Sequence, residues 1–162
     1  MPLLAVKSPT ASYHDLDEDE EDLALAIRRP LVAVLPFAPA GEDEALRLLG
    51  SGLAQQLRAG LALAPAISAI LISSEFIERA PEHALELICR QLRIGHLVTG
   101  KCSRDARGGC SLYVELTDTR DWNVHWAQVF RGTADAMMLP ESTELARMQA
   151  SVQAALLNHV VR

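Results

Sequence analysis

The apolar run Leu31-Val32-Ala33-Val34-Leu35-Pro36-Phe37 constrains this chain more than any other segment. Arg28-Arg29-Pro30 precede it, and Pro36 with the loop Ala38-Pro39-Ala40-Gly41 closes it. A short stretch that is apolar at nearly every position, with β-branched Val32 and Val34 and aromatic Phe37, suits a strand buried on both faces. Such strands lie inside α/β sheets. The fold is therefore expected to open on a central strand and continue into a long helix.

That helix is written over residues 42–63. Leu46, Leu49, Leu53, Leu57 and Leu61 recur at spacings of three and four, and Glu42, Asp43 and Glu44 suit the positive end of a helix dipole. Gly50, Gly52 and Gly60 interrupt the pattern, each at a cost of roughly 1 kcal/mol against alanine. A helix tolerates them where something approaches its backbone closely, and packing against the sheet explains them better than a phosphate-binding turn, which would directly follow a strand. A second strand is expected over Ala69–Ser73 within the β-rich stretch from Ile67 to Phe76. A helix from Pro81 through Arg93 should turn Leu85, Ile88, Cys89 and Leu92 inward. A third strand runs from His96 to Ser103. After the turn Arg104–Gly109, Cys110, Leu112, Val114 and Leu116 alternate with Ser111, Tyr113, Glu115 and Thr117, the mark of a strand with one face on the core. A turn at Thr119–Asn123, a strand Val124–Phe130 and a closing helix Pro140–Val160 complete the order β-α-β-α-β-β-β-α. The expectation is an α/β (α+β) fold, with a mixed sheet of about five strands and helices packed on it.

The net charge of -6 has to be located before it means anything. Asp15–Asp22 holds seven of the 21 acidic residues, which leaves 14 against 15 basic ones elsewhere. Residues 1–29 therefore read as a flexible acidic leader and 30–162 as one domain. A nearly neutral domain lacks the basic face of a nucleic-acid binder. No run approaches the roughly 18 apolar residues of a membrane span. Met1–Pro9 has no basic region ahead of its short apolar stretch, and no cysteine stands where a lipid anchor would be attached, so a cytoplasmic location is expected. Cys89, Cys102 and Cys110, odd in number and without CxxC spacing, fit reduced and partly buried thiols.

No catalytic constellation is written in the sequence, and the chain is expected not to be an enzyme. His14, His83, His96, His125 and His159 are scattered, so no metal and no cofactor is expected. Cys102, Cys110 and His96 share a sheet-face parity, and Cys102 should face Cys110 directly across the hairpin with both in the core. Ser73 and Ser74, with Phe37 nearby, stand at carboxyl strand ends, where open α/β sheets hold small ligands. Trp122 sits at a turn: it is either an exposed contact residue or folded back over the sheet. Trp126 and Val129 lie on the last strand, which a meander tends to leave at an edge able to take another strand.

In order along the chain, Ala33-Val34-Leu35-Pro36-Phe37, Gly52-Leu53 with Leu57, Arg90-Gln91-Leu92 with Ile94, Val98 and Gly100, Leu116 with Asp118, and Trp126-Ala127-Gln128-Val129-Phe130 form a recurring pattern. It resembles the TolB amino-terminal-like α/β domain, related to the CsgG and FlgO types, over about residues 31–157. Gln55 and Gln56 depart from usual acidic positions, Arg93 replaces a helix-ending glycine, His96 takes an aromatic position, and Trp122 stands at a turn glycine, so that turn is expected to use another geometry. The resemblance brings no catalytic residues. It implies a non-catalytic regulatory or protein-interaction module with an unidentified protein partner and a capacity for homo-oligomers. The alternative is a small-ligand-sensing accessory domain of a bacterial signalling system, of the kind attached to cyclases or winged-helix regulators.

Overall fold

The computed structural model describes residues 29–80, 82–139 and 141–160. The expected leader over 1–29 lies, apart from Arg29, outside the described residues. Among these residues six strands form one mixed sheet: β1 Leu31–Val34, β2 Ala38–Pro39, β3 Ser68–Leu71, β4 Ile94–Arg104, β5 Cys110–Asp118 and β6 Asn123–Gly132. The order across it is β3-β1-β4-β5-β6, and the two-residue β2 continues β1 alongside β4. β1 is parallel to both its neighbours, whereas β4, β5 and β6 form an antiparallel meander.

The central position of β1 follows from its composition. Val32 and Val34 enter the larger core with helices α1 (Glu44–Leu61) and α5 (Thr143–Val160), while Ala33 and Leu35 enter a smaller core with Cys89 on the opposite face. Helix α1 buries the leucine stripe read from the sequence, and Asp43 caps it by accepting from the Leu46 amide at 3.2 Å. The same Asp43 receives the Arg104 Nε–H at 2.7 Å, which ties the end of β4 to the start of α1.

Three short elements correct the sequence reading. The second strand ends at Leu71, not Ser73; Ser73 instead caps a six-residue helix, α2 (Ser74–Arg79), by accepting from the Phe76 amide. Ile72, Phe76 and Ile77 carry β propensity that masks this turn of helix, and the local cap prevails. Helix α3 spans Ala84–Leu92, so it starts later than the expected Pro81, and Leu92 is exposed instead of inward. After β6, Thr133 caps a five-residue α4 (Ala134–Met138), and Ser142 accepts from the Leu145 amide at the head of α5, which begins at Thr143 instead of Pro140.

The β4–β5 register also shifts one expectation. Cys110 pairs with Arg104, and Cys102 with Leu112. Both thiols are buried on one face, as the alternation requires, but they are diagonal neighbours and not direct partners. The cause is the loop, whose centre is Arg107: Asp105 accepts from the Arg107 and Gly109 amides, and Gly108 takes φ 81°. β3 lies at a sheet edge, so not all of the first three strands are spent on the interior.

Candidate functional site

The ligand residues named from the sequence separate. Pro36, Phe37 and Ser74 come together with Ala38, Arg47 and Ile77 around an open hollow of about 260 Å³ at the carboxyl end of β1. Phe37 is only 1% exposed, its ring packed over Gly100, so little of it meets this hollow. Ser73 faces a different hollow, formed with Phe76, Arg79 and Ala84, and its hydroxyl is engaged as the α2 cap.

The interaction residues fall on two faces of the meander half. β6 is an edge strand. Leu112, Val114 and Leu116 of β5 point to the α1–α5 face, and Trp126 and Phe130 pair beside them on β6. Trp126 packs partly against that core. Val129 pairs with Tyr113 and Val124 with Thr117 on the opposite face, where α3 covers β1 and β4 but not β6. There Tyr113, Val124, Ala127 and Val129 are exposed, Val129 to 49%.

Trp122 fits neither of the two alternatives alone. It adopts φ 57°, the left-handed geometry a glycine would use, instead of another turn type. Its amide donates to the Asp118 carbonyl at 2.8 Å, and its ring lines a cavity of about 190 Å³ with Glu86, Cys89 and Arg90 of α3. It is 41% exposed, and so both leans on α3 and presents an edge to solvent.

A polar corner that the sequence reading did not assemble lies at the base of this turn. Asp118 ends β5 opposite His96 of β4, and both are buried. The Arg120 guanidinium donates Nη2–H to Asp118 Oδ2 at 2.8 Å, and the Arg120 amide donates to Oδ1, also at 2.8 Å. Those contacts hold the Asp118 carboxyl down at about 2. His96 Nε2 lies 3.9 Å from Asp118 Oδ2, too far for a hydrogen bond, and neither ring nitrogen has a partner among the described residues. Burial pushes its pKa down, against the pull of Asp118. Asp121 Oδ2 stands 3.2 Å from His125 Nε2, and the His125 ring meets the edge of His159 at 5.9 Å between centroids. The legible signal was the spacing Asp118-x-x-Asp121-x-x-x-His125 around a tight turn. Cys102 and Cys110 lie toward the other end of the same face, so His96 does not meet them.

No family model and no curated protein matches this chain. Among solved structures, the PelC dodecamer from Paraburkholderia phytofirmans superposes with a TM-score of 0.50 at 18% identity, covering 80% of this chain and 86% of PelC. TolB from Acinetobacter baumannii scores 0.47 at 14% identity over 81% of this chain and 28% of TolB. A lipoprotein from Neisseria meningitidis scores 0.48 at 13% identity over 82% and 99%. At these identities the PelC likeness shows a shared fold, a mixed α/β sheet with helices packed on it, and nothing of activity.

Proposed function

We propose that this chain is a non-catalytic protein-interaction module that works through protein contacts, self-association among them, at the β5–β6 half of its sheet. The observation that carries the reading is the edge strand β6 with a bare face beside it: Tyr113, Val124, Ala127 and Val129 are exposed where no described helix covers the strand. An edge offers unpaired backbone groups to another strand, and exposed apolar side chains give the pairing a contact to bury. Exposed Arg131, two residues from Val129 on the same strand, disfavours basic partners. PelC, which has the same fold, is a dodecamer; that is a precedent for copies of the fold assembling. The cytoplasmic placement belongs to this reading, supported by three free cysteines, all buried. The test is capture of partners from a lysate of the source cell by the wild-type chain and by Trp122→Ala and Val129→Lys. Proteins held by the wild type and lost by either variant support the reading. Identical captures from all three contradict it.

A second reading, a small-ligand-sensing accessory domain, draws on the hollow formed by Pro36, Phe37 and Ser74, whose rim also carries Arg47 and Glu78. A thermal-shift screen with nucleotides and metabolites tests it. Stabilisation that Ser74→Ala and Arg47→Ala remove would favour sensing over pure protein contact.

A further inference from the structure

We propose that Asp118, Asp121 and His125, together with Nε2 of His96, form a binding site for one divalent transition-metal ion of the zinc class. One ligand atom from each of Asp118, Asp121 and His125 lies within 4.8 Å of the others. A separate observation points into the same place: His96 is 5% exposed, has no partner for either ring nitrogen among the described residues, and directs Nε2 toward Asp118 Oδ2. A buried imidazole without a hydrogen bond is costly, and a metal would satisfy one of its nitrogens.

The local structure converges on this corner. β4 and β5 bring His96 opposite Asp118. The β5–β6 register slips between Leu116 and Thr117, pairing them with Trp126 and Val124, so His125 is the bulged residue. A bulge re-aims a side chain, and here the His125 ring meets Asp121. Metal bonds of about 2.0–2.2 Å in a tetrahedron set donor atoms about 3.3 Å apart. The Asp121–His125 separation of 3.2 Å already meets that; His96 Nε2, 3.9 Å from Asp118 Oδ2, stands outside the group of three and has to move inward to complete the shell. Two carboxylates balance a dication, and two imidazoles select a transition ion over calcium or magnesium, which take all-oxygen shells. The Arg120 guanidinium holds Asp118 Oδ2 and would have to be displaced from it; its side chain is 80% exposed, so solvent can take it up as the ion takes that oxygen, while the Arg120 amide keeps Oδ1.

The experiment is calorimetric titration of the chelator-treated full chain with Zn²⁺, with Mg²⁺ as control, repeated on His125→Ala and Asp121→Asn. Both positions are exposed, so the variants should fold, and circular dichroism checks that they do. The expected result is one equivalent of Zn²⁺ bound by the wild type, no Mg²⁺ binding, and at least a tenfold loss of affinity in each variant. Cobalt substitution should show no thiolate charge-transfer band, since no cysteine takes part. Absence of Zn²⁺ binding, affinity retained by either variant, or a thiolate band would overturn the site.

Discussion

Gly50 of α1 lies directly beneath Phe37. The Phe37 amide donates to the Gly50 carbonyl at 3.3 Å, and a Cβ on Gly50 would run into the Phe37 carbonyl oxygen. Backbone meets backbone here, so nothing flexible can yield. Alanine at this position gains about 1 kcal/mol of helix propensity but faces an overpacking cost of about 1–3 kcal/mol or more. Gly50→Ala is therefore expected to lower stability, while Gly52→Ala, whose Cβ would meet only the tip of Met138, should be close to neutral. Urea unfolding of both variants checks the contrast. Equal effects would mean that β1 and α1 have room to part at Gly50.

Arg93 ends α3 at φ 56°, a geometry in which a side chain is strained and glycine is not. Arg93→Gly removes that strain and is expected to stabilise the fold by up to about 1 kcal/mol. Differential scanning calorimetry would show the midpoint rising. A fall would mean that the arginine side chain makes contacts worth more than the strain.

Burial pushes the Cys102 thiol up to about 11, from an ordinary value near 9.0, and the neighbouring Cys110 adds to the shift. Because the folded pKa is the higher one, the contribution to stability is whole below about pH 9. It is lost as pH rises toward 11, where the unfolded thiol ionises first. Denaturation midpoints measured from pH 8 to 11 should fall more steeply for the wild type than for Cys102→Ala. Parallel curves would place the thiol in a wetter site.

The parts of the fold legible in the sequence were those with a strong period. The run from Leu31 to Phe37 marked a central strand buried on both faces, the leucine stripe marked α1, and the alternation from Cys110 to Leu116 marked β5. Elements set by one local hydrogen bond were not legible. Ser73 and Thr133 each cap a helix too short to show a period, so α2 and α4 were hidden. Arg93 and Trp122 stand where the resembled pattern has glycine, and both hold the glycine geometry, because the surrounding register over-determines it. The corner of His96, Asp118, Asp121 and His125 depends on strand register and on a bulge, neither of which spacing alone reveals. The edge position of β6, by contrast, followed from its place at the end of a meander.

Self-association at the bare β6 face is tested most directly by the native mass of the full chain across a wide concentration range, by sedimentation or native mass spectrometry. The wild type is expected to shift from monomer to a multiple of its mass as concentration rises. The double variant Val124→Lys with Val129→Lys, which places two charges on the exposed strip without touching the core, should remain monomeric. A wild type that is monomeric throughout, or a double variant that assembles equally well, would contradict association through this surface.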